Sequence, residues 1–135
     1  MMQTDANRSG VWRAGTANTA LKPLPLMTSD SVLNKHSLLG ALATALHFPA
    51  HFGHNWDAAW DCLSELDWTD RRAYTLQLNI AAESRVDEPE LATFIDLFSE
   101  ACELWLAQGQ ILTLLVSTDR DDLPCLQQLP AWPVA

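Results

Sequence analysis

The order of elements in the sequence predicts an α/β protein built on a small, mostly parallel sheet. Three observations carry that expectation. Residues 74–80 (Tyr-Thr-Leu-Gln-Leu-Asn-Ile) alternate and are rich in β formers, the pattern of a half-buried strand. Residues 111–117 form a near-continuous apolar run of strand length, as expected of a strand buried on both faces. Between them Leu91, Phe94, Ile95, Phe98, Cys102 and Trp105 recur at helical spacing. Strands that alternate with helices build layered α/β domains, and right-handed crossovers decide where the helices lie.

Taken in order, residues 1–9 are polar and are expected to be disordered. Gly10–Ala14 could form a short extended piece, and residues 15–20 read as loop. Residues 21–28 contain Pro23 and Pro25. Proline cannot donate to a ladder, so this segment is an edge strand at best. From Asn34 a helix is expected, with Leu38, Leu39, Leu42, Ala45 and Leu46 on one face and Pro49 as its stop. Asn55 suits the N-cap of the next helix, with Asp57 in a first turn where the helix dipole favours negative charge. There Ala59, Cys62, Leu63 and Leu66 make an apolar stripe, and Asp57, Trp60, Asp61 and Ser64 make the opposite one. Asp87 or Glu88 followed by Pro89 opens the long helix, and Gly109 is its C-terminal stop. Asp96, Glu100 and Glu103 fall on its solvent face. The tail from Thr118 carries three prolines and is expected to wrap the surface with Trp132 as an anchor.

A chain of 135 residues, 48% of them hydrophobic, is long enough for one domain with a real core. Its net charge of −9 comes from 8 basic and 17 acidic side chains. Such a surface repels nucleic acid and anionic membranes and speeds encounter with cationic proteins. It also serves ordinary solubility. Cys62, Cys102 and Cys125 lack metal-type spacing, and the polar first residues carry no signal-peptide pattern. A reducing cytoplasm is the expected compartment. No stretch approaches the ~20 apolar residues that span a bilayer.

The helix opened by Asn55 carries the functional signal. Asp57 and Asp61 stand one turn apart, and between His51 and Asp70 there are five carboxylates and no Lys or Arg. Two like charges at i and i+4 destabilise a helix by roughly 0.2–0.5 kcal/mol. A face that accepts this cost is suited to a basic partner. Trp60 lies between the acids, as interface aromatics do, or else packs on a neighbouring helix with only its edge showing. Paired carboxylates could also serve acid–base chemistry or hold a hard cation. His47, His51 and His54 could ligate a metal if they shared a helix, but Pro49 and Gly53 interrupt them. No glycine-rich phosphate loop and no nucleophile elbow is present. Catalysis is therefore weakly supported, and no cofactor is expected.

The run Phe48-Pro49-Ala50-His51-Phe52-Gly53-His54-Asn55-Trp56-Asp57-Ala58-Ala59-Trp60-Asp61-Cys62-Leu63, followed by Glu65-Leu66-Asp67-Trp68, closely resembles the barstar family. These are small cytoplasmic inhibitors of secreted microbial ribonucleases of the barnase type. The resemblance extends more loosely over residues 21–118, leaving 1–20 as an N-terminal extension and 119–135 as a C-terminal tail. It implies a small three-stranded parallel sheet packed against helices, and inhibition without chemistry.

On this resemblance the Asn55-capped helix plugs the nuclease active site. Asp61 matches the aspartate that replaces a substrate phosphate among basic side chains, Asp57 a second acidic contact and Trp60 a flanking aromatic one. Glu100 matches an acid on the long helix that pairs with a basic residue at the rim of the cleft. Asn55 and Gly53 fall in the loop entering the binding helix, and Ser64 lies on its polar stripe. The family prototype has an aromatic hydroxyl where this chain has His51, and glycine where it has Glu65. The implied protein is an intracellular immunity protein, monomeric when free, whose partner is a basic secreted ribonuclease or related toxin. Two alternatives stay open: an acidic adaptor for another basic protein, and a metal-dependent hydrolase using Asp57, Asp61 and the histidines.

Overall fold

A computed structural model describes residues 9–14, 24–26, 32–49, 52–69 and 73–131. The elements run β1 (Gly10–Ala14), β2 (Leu24–Leu26), β3 (Val32–Leu33), α1 (Lys35–Leu46), α2 (Trp56–Leu63), β4 (Ala73–Ile80), β5 (Arg85–Val86), α3 (Glu88–Ala107), β6 (Ile111–Thr118) and α4 (Pro124–Gln127). The main sheet has strand order β1-β6-β4-β2, and every pairing in it is parallel. This is the expected α/β architecture with one correction: the sheet has four strands, not three. The additional strand is β1, the segment read as an extended piece outside the domain. Its Val11 and Ala14 are buried, and its pairing covers an edge of β6 that would otherwise expose unpaired backbone groups.

The register decides which side chains meet. Val11, Leu114, Leu76 and Leu24 lie in one row across the sheet, and Val116, Leu78 and Leu26 in the next. These residues form the sheet's contribution to the main core, with Leu38, Leu42, Leu91, Phe94 and Phe98 supplied by α1 and α3. β6 lies between β1 and β4, so Leu112, Thr113, Leu114, Leu115, Val116 and Ser117 are all buried. That matches the apolar run read as a strand covered on both faces. Pro25 sits in β2 at the sheet's other edge, where a missing N–H costs no ladder bond.

The helix limits follow local chemistry. Asn34 and Ser37 form a reciprocal capping box at the start of α1, and His47 closes it in the left-handed region. Pro89 opens α3. Gly109, at φ 82°, stops it by turning the Gly109 and Gln110 N–H groups back onto the carbonyls of Leu106 and Trp105. Two features were not expected. β3 and β5 form a two-residue parallel ladder of their own, and the tail contains α4. Leu123 and Leu126 are buried in the main core. The Arg120 guanidinium donates to the Ser84 carbonyl at 2.6 Å and to both Asp122 carboxylate oxygens at 2.9 Å. Arg13 N–H donates to the Pro130 carbonyl at 2.8 Å, so the tail closes over the β1 edge. Residues 1–8 and the proposed anchor Trp132 lie outside the described residues.

Candidate functional site

α2 has eight residues, fewer than the ~12–15 at which an isolated helix becomes even marginal in water. Its neighbours must therefore hold it. Asn55 is the N-cap, as expected: its Oδ1 accepts from the Ala58 N–H at 2.7 Å. The preceding loop is anchored by Phe52, which is buried with Leu39 and Ala59 and meets Phe48 edge-on at 5.0 Å. His54 takes a left-handed φ of 55°, and its Nδ1 lies 3.1 Å from the Phe52 carbonyl oxygen. Ala59 and Leu63 are fully buried beneath the helix. Because the cap satisfies a donor that α2 cannot satisfy itself, Asn55→Ala is expected to cost about 1 kcal/mol in urea unfolding.

The outward stripe is acidic. Asp57 and Asp61 on α2 and Glu65 just beyond it are exposed, and none has a hydrogen bond or ion pair among the described residues. Trp60 is half-buried: part of its ring packs on the main core and the rest remains accessible between the two aspartates. Ser64 turns its hydroxyl onto the Asp61 carbonyl at 2.9 Å and so helps finish the helix. Beside this stripe runs a groove of about 570 Å³, with Phe48, Phe52 and Tyr74 in its wall and Asp61, Glu65 and Asp67 along it. Glu65 adds a carboxylate to that groove. Asp67 is held below the usual carboxylate range by the Thr69 hydroxyl and N–H.

α3 brings the remaining acid alongside. Trp56 at the start of α2 meets Phe94 at 6.3 Å and donates its indole N–H to Glu90 Oε1 at 3.0 Å. Near the far end of α3, Trp105 donates its indole N–H to the Leu63 carbonyl at 2.7 Å. α2 therefore lies along α3 in the same chain direction. Leu97 packs against the cluster containing Ala59 and Cys62. Glu100 stands three residues further, exposed on that flank. Burial, then Glu65 and Asp61, raise the Cys62 thiol above its ordinary value, which keeps it protonated rather than nucleophilic.

The structure thus gathers Asp57, Trp60, Asp61, Ser64 and Glu65 on and beside α2, with Glu100 on the adjoining helix. Asn55 is committed to capping. His51 lies outside the described residues. His47 and His54 occupy the end of one helix and the loop before the next. Among the described residues no three His, Cys, Asp or Glu side chains gather as metal ligands. Periodicity did not show the indole hydrogen bonds from Trp56 and Trp105, because pattern assigns a tryptophan to a face without saying what its N–H meets. No curated protein matches the chain. The family model described as Barstar (barnase inhibitor) matches residues 26–117, from the last residue of β2 to the penultimate residue of β6. With a match over most of its length, including the whole acidic helix, the chain belongs to the barstar family.

Proposed function

We propose that the protein inhibits a barnase-type ribonuclease by inserting α2 into the nuclease active site. The observation that carries this reading is the row of exposed acids, without partners among the described residues, on a short helix fixed to the body of the domain. Asp61 stands in for a substrate phosphate, since a carboxylate offers bidentate Arg the same pair of anionic oxygens. Asp57 and Glu100 meet further basic groups at the rim. Trp60 contributes apolar contact, and His51, Asn55, Ser64 and Glu65 border the plug. Inhibition is by occlusion, so the protein performs no bond-making step. It acts in the cytoplasm as a monomer that protects the producing cell. Among the described residues no helix is long and apolar enough to cross a membrane.

A specific observation supports a second reading. Glu65 and Asp67 extend the charge beyond Asp61 along the groove, which suits a basic toxin or protein other than barnase. Binding of the purified chain to barnase tests the first reading. A stable complex is expected. Raising salt from about 0.05 to 0.5 M should slow association more than tenfold while changing dissociation by less than about threefold. No complex at micromolar concentration, alongside capture of one constant basic protein from the producing cells, would move the assignment to the second reading.

A further inference from the structure

We infer that Glu90, Trp56 and Trp105 are positioning residues for binding: they form a crossed pair of indole hydrogen bonds that locks α2 against α3 at both ends. The inference rests on α2 being the binding element proposed above. At one end, Trp56 of α2 donates to Glu90 of α3 at 3.0 Å. At the other, Trp105 of α3 donates to the Leu63 carbonyl of α2 at 2.7 Å. Leu63 is the last residue of α2, so its carbonyl is one that the helix cannot satisfy. Trp105 supplies the missing donor from a different element.

Apolar burial alone would not do this. Only Ala59 and Leu63 of α2 are fully buried. Trp56, Ala58, Trp60 and Cys62 pack on the same clusters only in part, and apolar contact is non-directional, so these contacts hold α2 down without fixing its rotation or its register along α3. A hydrogen bond has a preferred direction, and two of them at opposite ends fix both rotation and register. The distal lock is itself supported. Trp105 packs on Trp68 at 5.2 Å, Trp68 meets Tyr74 edge-on at 4.8 Å, and the Tyr74 hydroxyl donates to the Asp67 carbonyl at 2.7 Å. The segment leaving α2 is thereby tied to β4 and α3 together. Because Glu100 is on α3, the same two bonds fix the α2 acids relative to Glu100. A partner then meets a preformed row of charges and does not spend binding energy ordering it.

The glutamate also explains itself in this arrangement. The face is already acidic, so another carboxylate near α2 is unfavourable unless it has a specific task. Glu90 sits in the first turn of α3, where the dipole favours its charge, and its oxygen accepts from a neutral indole that repels nothing.

Hydrogen exchange of the free protein, combined with binding kinetics to barnase, tests the inference with three variants. Trp105→Phe keeps a ring against Trp68 and removes only the donor. Glu90→Leu removes the acceptor. Glu90→Gln keeps an acceptor oxygen while removing the same charge. Trp105→Phe and Glu90→Leu should each speed exchange of the α2 amides about fivefold, the worth of one hydrogen bond, through a local opening that depends little on denaturant. Glu90→Gln should stay within about twofold of wild type. The Glu90→Leu/Trp105→Phe double variant should leave barnase about tenfold faster, with association matching that of Glu90→Gln. Unchanged α2 exchange overturns the inference, as does equal behaviour of Glu90→Gln and Glu90→Leu, or α2 exchange that proceeds only through the strongly denaturant-dependent global opening. If the wild type fails to bind barnase, the proposed function fails, and the exchange comparison still decides whether the lock exists.

Discussion

Asp61→Ala is expected to abolish tight binding to the nuclease while making the free protein slightly more stable. If α2 is the plug we propose, insertion would desolvate Asp61 among basic groups of the partner, and removing one member of a buried charge pair costs about 3–5 kcal/mol. That is a loss of at least a hundredfold in affinity, and it should appear mainly in the dissociation rate. In the free protein the same carboxylate is a liability. It stands in the last turn of α2, where the helix dipole disfavours negative charge, and it repels Asp57 one turn earlier. Removing it should gain roughly 0.5 kcal/mol. Asp57→Ala differs, because Asp57 in the first turn gains from the dipole about what it loses to Asp61. Its stability should stay within about 0.5 kcal/mol of wild type. Calorimetric titration with urea unfolding of the same variants checks both signs. Wild-type affinity in Asp61→Ala would remove Asp61 from the site. A loss of affinity accompanied by a comparable loss of stability would make it a structural residue.

That opposition of signs was legible in the sequence, since like charges at i and i+4 without a basic neighbour are visible without coordinates. The long elements were legible too. The 74–80 and 111–117 segments, the helix beginning at Asn34, the Asn55 cap, the Pro89 start and the Gly109 stop all stand where local chemistry placed them. What escaped has a common cause. β1 is five residues long, and its strand character comes from the open edge of β6, a surface that exists only after folding. α4 is four residues long and is held because Leu123 and Leu126 reach the core. Trp60 could not be assigned to packing or to an interface because a half-buried ring packs on the core and still leaves part of its surface accessible. The indole bonds of Trp56 and Trp105 join residues 34 and 42 positions apart, a separation at which periodicity carries no information.

Phe94→Ala should have the largest effect on stability, and it should reach the proposed binding helix as well. Phe94 is fully buried in the main core, with Trp56 at 6.3 Å on one side and Phe98 at 5.9 Å on the other. Truncating a buried phenylalanine costs about 3–5 kcal/mol, from lost transfer energy and the cavity left behind. Against a total of about 5–15 kcal/mol for a domain, the variant would keep only part of its stability. Phe98→Ala is the informative comparison: Phe98 is equally buried on the same helix, but its ring meets Phe94 rather than Trp56. Both variants should shift the urea midpoint downward by similar amounts with little change in slope. They should part at α2. Without the Phe94 ring, Trp56 loses the surface that aims its indole at Glu90, so the α2 amides should exchange faster in Phe94→Ala than in Phe98→Ala. Affinity for the nuclease, measured below both unfolding transitions, should fall in the same order. Identical α2 exchange in two equally destabilised variants would mean that α2 senses only global stability, and that Phe94 supports the core without orienting the plug.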